Sequence, residues 1–371
     1  MTDLIQHPAA EKAFPRWGGP ADRLRFLLGY AVLAPSRHNA QPWAFEIEGD
    51  AVRVYADASR ALPSADPDGR ELVMACGAAI LNLRLAAAHF GYASSLEIVP
   101  GHRRDGLLAM VHLEERRAST PETEELFRAI PVRRTNRLPL DGREPPDGLV
   151  AQLVKEARRE GAWLRAVEPP QRRPMAELIA EGDRLQWASL RFRSELASWT
   201  RSNASARRDG LPGWAQGLSD AAALVAPVLL RVRNPGRAEA ERDKRRSLGS
   251  KALLVLATPR DGKQEWLQAG EAMQRILLRA ASVGLSASYF CQPVEIPALR
   301  RRVADVVGEP GAPQLVLRLG YGLEVRAPPR RPVDAVLRRF EEKTRRPQPL
   351  ALRTPTGGYP GVTVPRPPAV P

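Results

Sequence analysis

The sequence predicts an α+β protein made of two tandem half-domains, each with a mixed, mostly antiparallel sheet and helices, packed together as a pseudo-dimer within one chain. Three observations predict it. First, residues 77–95 align without a gap on residues 270–288, with seven of the 19 positions identical, Gly77/Gly270 and Gly91/Gly284 among them. Second, each copy follows a short apolar strand (Ala51–Tyr55, Ala252–Leu256) and precedes another (Leu107–Leu113, Gln314–Leu319). Self-similarity of this kind marks a duplicated unit. Third, the first copy is apolar nearly all round from Leu72 to Ala88, broken mainly by Asn82 and Arg84. A helix apolar on every side must be buried on every side. Two such helices, one per half, bury each other best across a two-fold arrangement.

The elements follow in order. A helix over Ala21–Leu33 stops before Ala34-Pro35, because the residue ahead of a proline avoids helical angles. Ala44–Glu48 and Val52–Tyr55 alternate around Gly49-Asp50 and read as a hairpin. The long apolar helix spans Asp68–Phe90, and strands at Leu96–Val99 and Leu107–Leu113 close the first half, residues 1–120. The second half, residues 121–344, opens with helices at Pro121–Ile130 and Asp147–Glu160 and a strand at Trp163–Val167. Helices near Pro174–Leu185, Trp187–Trp199 and Ser219–Leu230 flank a Gly-rich polar loop, Ser202–Gly217. Strand Ala252–Ala257, helix Gln264–Val283 and strands Ser286–Phe290 and Gln314–Leu319 complete it. The Pro-rich tail 345–371 has no periodicity and is expected to be disordered.

Composition narrows the function. With 43% hydrophobic and 26% charged residues, the chain can build a sizeable core. No apolar run approaches the ~18 residues of a membrane helix, and Met1–Arg16 lacks a signal core, so a cytoplasmic protein without a membrane partner is expected. The two cysteines, Cys76 and Cys291, make neither a disulfide framework nor a metal site and read as small buried hydrophobes. The net charge of +14 is spread along the chain, and aromatics are only 6%. That pattern argues against a nucleic-acid partner.

Two segments carry the candidate chemistry. Residues 34–43 (APSRHNAQPW) pack Ser36, Arg37, His38, Asn39 and Gln41 between a helix end and a strand. Such a loop offers several donors and acceptors from a rigid base. Residues 133–137 (RRTNR) gather Arg133, Arg134, Thr135 and Arg137. Guanidiniums in a planar fork beside a hydroxyl suit a phosphate.

Together these segments resemble the FMN-dependent nitroreductases. PSRHNAQPW is similar to that family's helix-to-strand loop, commonly P-S-x-x-N-x-Q-P-W, and RRTNR to its phosphate-binding R-R-S-x-R opening. Gly270–Gly284 and the strand after it resemble the family's later helix and the segment lining the flavin ring, and Arg330 and Arg331 stand where it places a C-terminal basic residue on the phosphate. The likeness covers about residues 24–336. It implies a nitroreductase-like fold and an FMN site. Arg133, Arg134, Thr135, Arg137, Arg330 and Arg331 would hold the phosphate. Ser36, Arg37, His38, Asn39 and Gln41 would line the ribityl chain and ring edge, with Arg37 as the charge beside N1 and O2. Backbone at Tyr289, Phe290, Cys291 and Gln292 would face N5 and O4. The flavin carries the chemistry, so no side-chain acid or base and no metal is implied. NAD(P)H would be the electron donor and a nitroaromatic or quinone-like molecule the acceptor.

The order of the motifs adds a stoichiometry. The family's ordinary members take the arginines from one subunit and the polar loop from its twin. Here the first half has the loop without an arginine opening, and the second half the reverse. One complete FMN site per chain follows, as in the Acg branch, in a monomer or weak homodimer. Residues 202–218, ending on Trp214 and Leu218, have no counterpart in the first half and are expected to form a lid. Arg37 stands where the family usually has a small residue, so an FMN-storing protein with little NAD(P)H turnover is the alternative function.

Overall fold

The computed structural model describes residues 11–101 and 105–338. The first half runs α1 (Pro20–Ala31), β1 (Trp43–Glu48), β2 (Ala51–Ala56), α2 (Arg70–His89), β3 (Tyr92–Ile98) and β4 (Leu107–Arg116). Its sheet has the order β1-β2-β4-β3, antiparallel throughout. The β1–β2 hairpin turns on Gly49, whose φ of +61° lies in the left-handed region that glycine enters without cost.

The second half begins with α3 (Pro121–Ala129), capped by the Thr120 hydroxyl, and continues with α4 (Leu149–Arg159) and β5 (Trp163–Ala166). An excursion follows: α5 (Pro169–Ala188), α6 (Leu190–Trp199), the short parallel strands β6 (Thr200–Arg201) and β7 (Leu211–Pro212), α7 (Asp220–Val232) and α8 (Gly236–Leu248). The chain then returns as β8 (Ala252–Thr258), α9 (Lys263–Ser282), β9 (Ser286–Tyr289), α10 (Gln292–Glu295), α11 (Pro297–Val307) and β10 (Ala312–Gly320). The second sheet, β5-β8-β10-β9, repeats the order of the first. The expected duplication is therefore present in the topology: α1 and α4 precede the first strand, and α2 and α9 occupy the same place.

The halves meet where α2 crosses α9, in one continuous apolar core. The crossing is reciprocal. A Cβ on Gly77 would lie 2.1 Å from the carbonyl oxygen of Leu267, and one on Gly270 would lie 2.0 Å from that of Met74. Met74 and Leu267 each stand three residues before the repeat's glycine, so the two contacts are one contact seen twice. This is the local signature of a two-fold interface. Cross-half polar bonds, Gln274 to Asn82 at 2.7 Å and Arg84 to Glu271 at 2.6 Å, fix the register.

Several expectations need adjustment. Helix α2 is long and apolar enough to cross a membrane, with a mean hydropathy of 1.5, yet 83% of that window is buried against the rest of the protein. Its length of apolar sequence reflects α9, β1 and β2 around it. Helix α5 starts at Pro169 rather than Pro174, since prolines in a first turn give up no hydrogen bond. Helices α8 and α11 were not anticipated. The Pro-rich tail lies outside the described residues.

After β10 the chain crosses back to the first half. Phe45 donates its amide to Val336 and accepts one from Arg338, so this arm runs parallel to β1 at the edge of the first sheet. The crossing places Arg330 and Arg331 beside the loop that precedes β1.

Candidate anion site between the two halves

The loop between α1 and β1 is held in an uncommon conformation. His38, Asn39 and Gln41 all have positive φ, +50°, +54° and +54°. Each such residue costs on the order of 1 kcal/mol and persists only where its surroundings enforce it. The Ser36 hydroxyl accepts from the Gln41 amide at 2.8 Å, closing the turn. Arg330 donates to the Asn39 side chain at 2.8 Å, and the Asn39 amide group donates to the Pro329 carbonyl at 3.0 Å. Gln41 accepts from the Arg331 backbone at 2.7 Å and donates to the Arg208 carbonyl at 2.7 Å. The first half's loop is thus shaped by the second half's C-terminal arm and by the excursion.

The arginine opening lies against β9. Asn136 donates its amide to the Ala287 carbonyl, and its side chain donates to the Leu323 carbonyl. That anchors the turn and turns Arg133 inward, within 3.5 Å of the Thr135 hydroxyl. Arg133 and Arg330 are buried, and Arg137 is partly so. Among the described residues, no carboxylate pairs with Arg133, Arg137 or Arg330, while Glu324 lies near Arg134. Burial, aided by Arg133 and Arg134, pushes the Arg330 guanidinium down to about 9. Burial also lowers Arg133 and Arg137, which stand near Tyr289. Buried cations without counter-charges are costly, and an anion would offset that cost. Burial, with Arg37 and Arg137 close by, holds the His38 imidazole well below its usual range and therefore neutral. Its Nε2, Arg133 Nε and Arg330 Nε are buried without hydrogen-bond partners.

Other expected site residues are placed differently. Arg37 turns under the loop, bonded to Glu295 and 3.5 Å from Glu71. Burial opposes its charge, but the two carboxylates outweigh it and hold Arg37 protonated. Burial drives Glu295 well above the carboxylate range, while Arg37 and Arg70 keep Glu71 ionised against the same burial. Arg134 caps its own turn through the Pro131 and Arg133 carbonyls. The Arg331 guanidinium reaches the Gln41 and Ala335 carbonyls, away from the cluster. Phe290 packs into the second-half core, while Tyr289 beside it faces Arg133. Burial, with Glu71 and Glu295, keeps the Cys291 thiol protonated. Gln292 donates to Asp183 at 2.8 Å.

Three partners escaped the sequence reading. Glu71 and Glu295 hold Arg37, and Asp209 fastens the segment 202–218 through Arg60 and Arg201, at 2.5 and 3.0 Å. The charged pair Arg70-Glu71 at the head of an otherwise apolar helix was a signal for the first; the others had none.

The fold and this cluster define a two-lobed α+β protein with one cationic site assembled from both lobes. No family model matches the chain. It is 31% identical over 304 residues to a Mycobacterium tuberculosis (H37Rv) protein provisionally named NAD(P)H nitroreductase Rv3131, covering 81% of this chain and 86% of that one. It is 29% identical over 326 residues to the provisionally named NAD(P)H nitroreductase acg of the same strain, covering 85% and 95%. A solved structure, the FMN-dependent nitroreductase NfnB of Mycobacterium smegmatis in complex with NADPH, is 16% identical over 58% of this chain and 98% of its own, with a TM-score of 0.37. The chain belongs to the nitroreductase family.

Proposed function

We propose that the chain, divided near residue 120, binds one FMN between its halves and acts as an NAD(P)H-dependent oxidoreductase on nitroaromatic or quinone-like small molecules. The observation that carries this reading is the set of arginines without acid partners, buried Arg133 and Arg330 and half-buried Arg137, beside the strained polar loop of the other half. They fit the cofactor's phosphate. Thr135 offers a hydroxyl beside them, and the unpartnered His38 Nε2 offers an acceptor for a ribityl hydroxyl. FMN, when bound, supplies hydride acceptance from NAD(P)H and electron delivery to the acceptor.

The remaining residues position that group. Asn39 and Gln41, fixed by Arg330, Arg331 and Arg208, line the cofactor's polar edge. Arg37, held by Glu295 and Glu71, keeps a positive charge under the loop. Backbone from Tyr289 to Gln292 would border the ring. A symmetric second site is not expected, because α4 and β5 are joined by residues 160–162 alone, too few for a second polar loop.

One observation favours the storage alternative. Residues 202–218 bond directly to the loop, through Gly210 to Asn39 and Gln41 to Arg208, and so act as a lid. NADPH added anaerobically to the yellow protein separates the readings. Rapid bleaching with steady turnover supports the oxidoreductase, and tight FMN without bleaching supports storage. Charge-assisted bonds are worth about 1.5–3 kcal/mol each. Arg133→Ala with Arg137→Ala should therefore weaken FMN binding by roughly 100-fold or more, while the exposed Arg301→Ala leaves it unchanged. Equal FMN retention in both variants would refute the site.

A further inference from the structure

Helix α7 has an apolar face on which none of the described residues packs. Its inner side leans on α6, with Ala223 buried against Gly213, and Leu230 joins the cluster around Trp187 and Trp199. Its outer side presents Leu224, Val225, Val228, Leu229 and Val232, exposed at 68%, 50%, 62%, 42% and 70%. These are five of the ten large hydrophobics exposed among the described residues. A surface helix normally carries charge on that side. Here charge is confined to the ends, Asp220 at one and Arg231 and Arg233 at the other. A contiguous patch of this kind marks an interaction surface.

The centre of the helix, residues 224–229, is also close to a palindrome, with Asp220 and Arg233 at its two ends. Turned end for end about a point between Ala226 and Pro227, Val225 falls on Val228, Leu224 on Leu229 and Asp220 on Arg233. A two-fold axis there sets apolar residue against apolar residue and acid against base. That is the self-complementarity an isologous contact requires. We infer that α7 is a dimerisation surface, its occupant being α7 of a second copy packed antiparallel across this axis. The five side chains offer on the order of 400 Å² of apolar surface per copy, about half the footprint of a standard interface. The dimer is therefore weak and concentration-dependent. A membrane surface fits the same face less well. A helix lying on anionic lipid needs basic residues along its flanks, whereas the inner side of α7 is covered by α6 and one end is acidic.

Sedimentation velocity on the full chain, from low-micromolar to several hundred micromolar, tests the inference. The mass should rise from monomer to dimer with concentration. Val225→Glu with Val228→Glu, both at exposed positions, should weaken association by ~100-fold or more, with Val228→Lys as a second variant if the pair does not fold. Arg233→Glu should weaken it by about 10-fold, and Asp220→Arg added in the same chain should recover most of that loss. A strictly monomeric wild type, a dimer indifferent to Val228→Lys, or a paired reversal no better than the single one would overturn the assignment. So would co-sedimentation of the monomer with phosphatidylserine vesicles in place of self-association.

Discussion

The two halves share a sheet order, a helix framework and a reciprocal crossing of α2 on α9, yet they differ sharply in two connections. Between the helix and first strand, the first half spends residues 32–42 and the second only 160–162. Between the first two strands, the first half turns on residues 49–50, while the second inserts 167–251. The long connections end up together, for Arg208 and Gly210 of the insertion bond to Gln41 and Asn39 of the loop. The two halves are alike in framework, and their divergence lies in these connections, which meet at one place between them.

The shared part of the comparison is the most sensitive to substitution. Gly77 and Gly270 each let one helix rest on the other's backbone, and any side chain would drive the halves apart. Overpacking of this severity costs about 3 kcal/mol or more. Gly77→Val and Gly270→Val should each lower Tm by roughly four degrees or more, or prevent folding, and by similar amounts, as read by thermal denaturation. A large cost at one glycine and none at the other would break the two-fold reading.

The divergent part should cost binding rather than folding. Arg330 and Arg331 are neighbours on the arm that crosses to the first half, but only Arg330 stands in the unpaired cation cluster. Arg330→Ala should weaken FMN binding about 10- to 100-fold by loss of one charged bond and of the Asn39 clamp. Arg331→Ala should act less, since the Gln41 contact is made by the backbone amide of residue 331. Flavin fluorescence titration of the two variants measures this; equal losses would mean that the arm acts as a whole and not through one guanidinium.

The shared framework was legible in the sequence, and so was the presence of the divergent connections, though not their contacts. The repeat 77–95 on 270–288 carried the duplication because the glycines and small residues of a tight helix crossing cannot be varied freely. The loop and the arginine opening were legible as clusters of rare polar types in short spans. Their meeting followed only from which half held which. Helix α8 was missed because its sequence, from Gly236 to Leu248, has almost no apolar residue to show a period. Helix α11 was missed although Leu299, Val303 and Val307 keep the spacing of one buried helix face. The burial of Arg37 between Glu71 and Glu295 depends on contacts 34 and 258 residues distant along the chain, which no local pattern records.

The insertion also brings a titrating group to the second half's edge of the site. Asp183 on α5 is buried against Gln292, and burial, with Asp243 close by, raises its carboxyl to about 7. Gly182 beside it lets α5 approach within 2.8 Å of the Gln292 Cβ for any added side-chain carbon, so the packing there has no slack. A carboxyl raised in the folded state favours the protonated form. Its contribution to stability is complete below the unfolded value near 4 and is lost as the pH rises toward 7. Asp183→Asn keeps the acceptor for Gln292 and cannot ionise. Its Tm should match wild type at about pH 4 and exceed it by a few degrees at about pH 8. A gap that is constant across that range would show that Asp183 is ionised throughout, and that the insertion holds Gln292 by a charge rather than by a shared proton.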